Sequence, residues 1–216
     1  MQINKPYSHL IFDWDGTVMD SAAKIVSCMQ MAAKACGLTI PTDKDVRQII
    51  GISLLPAIAQ LFSIQIKDAQ RVAEHYKHIF LESDKTPSPL FEGAISTLTQ
   101  LSQNYVLGVA TGKARRGLNR AWQQTNSGHL FDQSRCADDA ESKPSPDMLV
   151  QLMEHWQIEA SDALMIGDTV YDMQMAEAIG MDRLGVSYGV HEANALKKHG
   201  PIAIIDRFDE LHTHLL

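Results

Sequence analysis

From residue 94 to the end of this 216-residue chain, short apolar runs take turns with amphipathic stretches, and that alternation constrains the fold more than any other feature. "AISTLTQLSQN" has helical spacing and "YVLGVAT" reads as a strand. "ARRGLNRAWQQTN" then "SRCAD", "SPDMLVQLMEHWQ" then "DALMIGD", "VYDMQMAEAIG" then "MDRLGVS", and "EANALKKHG" then "IAIID" repeat the pattern. A strand followed by a helix cannot pair with the next strand through a tight hairpin. The helix carries the chain back across the sheet, so consecutive strands run parallel. The expected core is therefore α/β, a doubly wound parallel sheet. "SHLIFD" reads as its first strand, but a purely helical block separates that strand from the rest. In this block "SAAKIVSCMQMAAKAC" stops at Gly37, and "TDKDVRQIIG" starts on a capping residue and stops at Gly51. "IKDAQRVAEHYKHIFLES" then runs to the breaker "TPSPLFEG". Residues 1–18 and 85–216 are expected to form the core, and residues 19–84 an inserted α-helical cap.

Composition removes several classes of partner. A formal net charge of −7 argues against nucleic acid held on a broad basic surface. No apolar run approaches the roughly 18 residues of a membrane span, and "MQINKPYSHL" lacks the apolar stretch of a signal peptide. Cys28, Cys36 and Cys136 are odd in number and lack CxxC spacing, so they read as small buried hydrophobes in a reducing compartment. A cytoplasmic monomer or homodimer is the expectation.

In open parallel sheets, ligands bind beyond the carboxyl ends of the strands, and the polar residues of this chain gather there. The first strand delivers Asp13 and Asp15, with no basic residue close in sequence and Gly16 directly after. "YVLGVAT" delivers Thr111, followed by Gly112 and Lys113. "DALMIGD" delivers Asp168, with Asp172 four residues on, and Lys143 lies in the loop segment "ESKPSPD". Like charges this close repel and are costly to bury. Acids collected with a hydroxyl and an ammonium suit a hard divalent cation, most plausibly Mg²⁺. Both acids of the first strand can face one site only if the strand kinks at Trp14, and Gly16 provides the room. Other eye-catching residues weigh less. "GVATGK" fails as a phosphate loop in its glycine spacing and in Ala114, which stands where Ser or Thr is needed. His75 and His78, Arg115 and Arg116 read as surface, and Met29, Met31, Met173 and Met175 as packing.

Together these stretches resemble the haloacid dehalogenase superfamily of phosphohydrolases, in particular its phosphoglycolate phosphatase-like group with an α-helical cap. The resemblance covers essentially the whole chain. "DWDGTVMDS" is similar to the family's DxDGTxxDS signature, "VATGK" to its second motif, "KPSPD" to its third and "GDTVYD" to its fourth. It implies a Rossmann-like core, Mg²⁺ as cofactor and a small phosphorylated metabolite as substrate, hydrolysed through an aspartyl-phosphate. Asp13 is then the nucleophile, and Asp15 protonates the leaving alkoxide and activates water. The metal ligands it implies are the Asp13 side chain, the Asp15 main-chain carbonyl and Asp168. Thr111 and the N–H of Gly112 bind phosphoryl oxygens, and Lys143 neutralises developing charge. Asp172 either orients Lys143 or metal-bound water, or is only an acid in a helix's first turn.

Rival readings meet specific residues. Dehalogenases of the same fold lack an acid equivalent to Asp15. The related phosphomutases follow the cap glycine with a Ser-Arg pair, whereas this chain reads "GISLLP" from Gly51, with Leu54 in the arginine's place. Signalling receiver domains are shorter and have no helical insertion. A phosphate-binding or signalling protein without turnover stands as a further alternative. Specificity is expected from the cap, at the loop of residues 51–55 and at Arg47.

Overall fold

The computed structural model describes residues 7–215; the stretch 1–6, read above for a leader, lies outside the described residues. β1 (His9–Phe12) is followed by four helices, α1 (Ala22–Ala35), α2 (Asp43–Arg47), α3 (Leu54–Phe62) and α4 (Ile66–His78), the last continued by a π-helical turn, Ile79–Ser83. The chain then alternates as expected. α5 (Ala94–Leu101) leads to β2 (Val106–Ala110), and α6 (Arg115–Thr125) to β3 (Gln133–Arg135). α7 (Asp147–Trp156), β4 (Ala163–Gly167), α8 (Val170–Glu177), β5 (Asp182–Val186), α9 (Ala193–Leu196), β6 (Ala203–Ile205) and α10 (Leu211–Leu215) complete it.

The six strands form one parallel sheet in the order β3-β2-β1-β4-β5-β6. β1 therefore stands where the winding reverses, the switch point at which such sheets open a crevice. Side chains alternate between two buried layers, as the period of a strand requires. Leu10 and Phe12 face one cluster with Leu107, Val109, Leu164, Ile166, Leu98 and Leu118. Ile11 faces the other, with Met165, Met148, Leu152 and Met175. The helices between β1 and α5 bury a third cluster of their own, among them Val26, Met29, Ile58, Val72 and Ile79. Met29, Met173 and Met175 are thus buried in packing, while Met31 is exposed.

Three local expectations need correction. The strand expected in "SRCAD" is Gln133–Arg135, which leaves Cys136 beyond its end. "EANALKKHG" holds a single α turn followed by a 3₁₀ turn, Lys197–His199. Residues 54 and 55, read as loop, open α3. Pro56 looks like a breaker there, but in a first turn its missing N–H has no helical partner to lose.

Candidate active site

β1 ends at Phe12, and the next residue carries its ladder one step further: the Asp13 N–H donates to the Ile166 carbonyl at 2.9 Å. The chain then turns tightly, with the Trp14 carbonyl accepting from the N–H groups of Thr17, Val18 and Met19. This is the expected kink at Trp14. Gly16 makes it possible, because its φ is +93° and a Cβ there would lie 2.3 Å from Asp168 Oδ2. The turn sends the two acids to different neighbours.

Asp13 is 1% exposed, and Lys143 Nζ donates to its Oδ1 at 2.6 Å. The same ammonium donates to Asp172 Oδ1, also at 2.6 Å. Asp168, at the end of β4, accepts from Thr17 Oγ1 at 2.9 Å and from the Val190 N–H at 2.8 Å. Three carboxylates are buried here, and two of them, Asp13 and Asp172, share the buried Lys143 ammonium. Burial drives the Asp13 carboxyl well above the usual carboxylate range; Lys143 opposes the shift, and Asp172 and Asp168 add to it. Burial, then repulsion from Asp172, pushes Asp168 up to about 7 against its hydrogen bonds from Val190 and Thr17. For Lys143, burial works to lower the pKa, but Asp13 and Asp172 outweigh it and keep the ammonium charged.

Asp172 both contacts Lys143 and caps a helix. Its Oδ2 accepts from the N–H and hydroxyl of Thr169 at 3.0 and 2.7 Å, closing a capping box at the start of α8, while Oδ1 holds Lys143. Both its oxygens are committed within the protein. By contrast Asp13 Oδ2 is buried without a hydrogen-bond partner among the described residues. An orphaned carboxylate oxygen is costly to bury unless a cation meets it. Asp13, Asp168 and Asp172 form the single set of metal-ligating side chains found among the described residues, with one oxygen from each lying within 4.8 Å of the others. The donors are all carboxylate oxygens, so the residues fit a hard cation such as Mg²⁺.

The Asp15 side chain stays outside this cluster. It accepts from Ser21 Oγ at 2.6 Å and from Lys113 Nζ at 2.9 and 2.8 Å. Lys113, which follows Thr111 and Gly112 at the strand end and to which the sequence assigns no role, is thus a partner of Asp15. Thr17 and Ser21 lie inside "DWDGTVMDS", yet nothing in spacing alone shows which acid each hydroxyl meets. Thr111 is 1% exposed at the end of β2, its N–H bonded to the Arg135 carbonyl. Gly112 lies against the helical block, where a Cβ would come within 2.5 Å of the Gly51 carbonyl oxygen. The Ser53 N–H donates to Ser142 Oγ at 2.9 Å, and Tyr171 Oη to the Gln48 carbonyl at 2.8 Å. The 51–55 segment therefore borders the strand ends. Arg115 instead pairs with Asp139 and the Ser134 carbonyl.

Residues 10–186 match the family model described as haloacid dehalogenase-like hydrolase. The protein named probable phosphatase IndB, from Dickeya dadantii (strain 3937), is 31% identical over 208 residues, covering 94% of this chain and 90% of that protein. A phosphoglycolate phosphatase of Vibrio cholerae is 26% identical over 207 residues, covering 91% and 92%. A solved haloacid dehalogenase-like family hydrolase from Streptococcus pneumoniae superposes with a TM-score of 0.83 at 27% identity, over 96% of this chain and 97% of that one.

Proposed function

This chain belongs to the haloacid dehalogenase-like hydrolases, and we propose that it is a Mg²⁺-dependent phosphatase of a small phosphomonoester, phosphoglycolate-like or a sugar phosphate. The observation that carries the reading is Asp13: a buried carboxylate at the switch point, one oxygen on Lys143 and the other without a protein partner. An oxygen of Asp13 attacks phosphorus, and the bond to the ester oxygen breaks as Asp15 delivers a proton to the leaving alkoxide. Asp15 then takes a proton from water, whose oxygen attacks the aspartyl-phosphate, freeing inorganic phosphate and restoring Asp13. Thr111 Oγ1 and the Gly112 N–H hold phosphoryl oxygens, and Lys143 offsets the charge that spreads over them. The Asp13 side chain, the Asp15 carbonyl and Asp168 would hold Mg²⁺, which supplies Lewis-acid neutralisation of the phosphoryl group. Asp172 supports the site by fixing Lys143.

Residues 19–84 act as a cap in this reading, with the 51–55 segment and Arg47 facing the part of the substrate that differs between esters. Leu54 in place of an arginine favours hydrolysis over phosphoryl transfer to a second sugar position. No helix among the described residues is long and apolar enough to cross a membrane, and a cytoplasmic small metabolite is the partner we propose.

The test is phosphate release over a panel of small phosphomonoesters with Mg²⁺ present. Release from at least one ester, lost with EDTA, restored by Mg²⁺ and absent in Asp13→Asn, is the expected result. A folded protein that binds phosphate yet releases none from any ester would leave the non-hydrolytic reading in its place.

A further inference from the structure

Asp15 has a lysine of its own. Lys113 Nζ donates to both of its oxygens, and the two side chains are each 13% exposed, so the pair is largely removed from water. An ion pair there is screened far less than one on an open surface. The backbone of Lys113 is pinned on both sides: its N–H donates to Thr111 Oγ1 at 3.2 Å, and its carbonyl accepts from the Ala137 N–H at 3.1 Å. Room for its stem comes from Gly117, where a Cβ would lie 3.0 Å from Lys113 Cγ. A glycine inside a helix costs about 1 kcal/mol relative to alanine, and α6 carries one directly beside this stem. The ammonium also faces the Phe80 ring of the helical block at 5.4 Å from its centroid, and Lys24 faces the same ring at 4.9 Å. Phe80 sits on the π-helical turn that continues α4, a wide turn of the kind often found at functional sites.

We propose that Lys113 is a positioning residue of the phosphatase reaction: it clamps the Asp15 side chain in place for proton transfer, with Phe80 of the cap backing the ammonium. The inference rests on the acid/base reading of Asp15. Without Lys113, the carboxylate keeps a single hydrogen bond, from Ser21, and can rotate away from its working geometry. A misplacement of about 1 Å can cost on the order of 100-fold in rate.

Lys113→Met keeps the unbranched stem as far as Cε and removes the charged nitrogen. The expected result, on the best alkyl ester of the panel, is a kcat lower by about 10- to 100-fold with KM within about twofold, a part of the usual worth of acid–base catalysis. The phosphoryl-transfer step with p-nitrophenyl phosphate should fall less, because that leaving group needs little protonation. Lys113→Arg should restore most of the alkyl-ester rate. Added to Asp15→Asn, Lys113→Met should cause no further loss, since both changes act through one group. An equal further loss in that background, or a raised KM at unchanged kcat, would show Lys113 acting on the substrate itself and overturn the proposal. So would a Lys113→Met enzyme that matches the wild type while Asp15→Asn is impaired. If Asp15→Asn itself behaves as wild type, the acid/base reading fails and takes this inference with it. Should Lys113→Met fail to fold, Phe80→Leu tests the same contact from the cap, with a smaller loss confined to alkyl esters expected and an unchanged alkyl-ester kcat overturning it.

Discussion

Asp13 and Asp15 stand two residues apart and share no side-chain partner among the described residues. Asp13 takes Lys143, 130 residues on, and Asp15 takes Lys113, 98 residues on. The absence of a nearby base in the sequence pointed to a cation, and the structure adds two lysines to that account without supplying a partner for Asp13 Oδ2. Lys143, the more deeply buried of the two, is tested through stability. Replacing it by Met leaves Asp13 and Asp172 buried without their shared ammonium, and breaking a buried pair costs about 3–5 kcal/mol. Denaturant unfolding at neutral pH without Mg²⁺ should register a loss of that order, and a loss below about 1 kcal/mol would show that the pair contributes little. Asp15→Asn should behave differently, because only its carbonyl is assigned to the metal. Titration calorimetry should find Mg²⁺ affinity nearly unchanged, and a large drop would make the Asp15 side chain a ligand. The presence of these acids was legible in "DWDG" and "GDTVYD"; which lysine each would meet was not, since spacing says nothing about where side chains from other strands arrive.

At the scale of elements, the alternation that marked the core holds from α5 to β6, and misreadings fall where local signals were weak or ambiguous. β3 has three residues and an edge position, so the expected strand began one residue late and ended three residues late. The start of α3 reads in sequence as part of the loop after Gly51, and Pro56 is no obstacle to a helix there because it falls in the first turn. The contact between Gly112 and the Gly51–Ile52 backbone links the β2 end to the helical block, the proposed cap, and it makes a test. Gly112→Ala would place a Cβ 2.5 Å from the Gly51 carbonyl oxygen, with backbone on the other side unable to yield as a flexible side chain can. The cap loop should shift, lowering turnover by roughly 10- to 100-fold while the two sheet-packed clusters keep thermal stability close to that of the wild type. Full activity in this variant would mean that the loop moves without consequence for the chemistry. The capping box of α8 gives a second, smaller expectation. Thr169→Ala should cost about 1 kcal/mol as a lost helix cap and lower turnover as well, because Asp172 loses the anchor of its Oδ2.

For the whole molecule, the acid cluster couples stability to metal and to pH. Asp13 and Asp168 are both raised by burial and by one another's neighbours, Asp168 to about 7. A carboxyl raised in the folded state contributes stability below its unfolded pKa, and that contribution is lost as pH rises through the folded value. Metal-free protein should therefore lose stability at this site as pH climbs toward and past 7, and Mg²⁺, binding the ionised acids, should restore it. Differential scanning fluorimetry should show a Mg²⁺-induced rise in Tm that grows from pH 5.5 to pH 8 and vanishes in Asp168→Asn. A rise independent of pH would separate the metal from these carboxylates. The sequence alone determined the parallel α/β core, the helical block after the first strand, and the acids and hydroxyl at the strand ends, because apolar periodicity and strand–helix order are local properties of the chain. Tertiary structure decided how those groups divide: Lys143 between Asp13 and Asp172, Lys113 on Asp15, and Gly112 against the Gly51–Ile52 backbone. A side chain's partners are set by which distant segments pack beside it, and only closing the sheet and seating the helices on it brings those segments together.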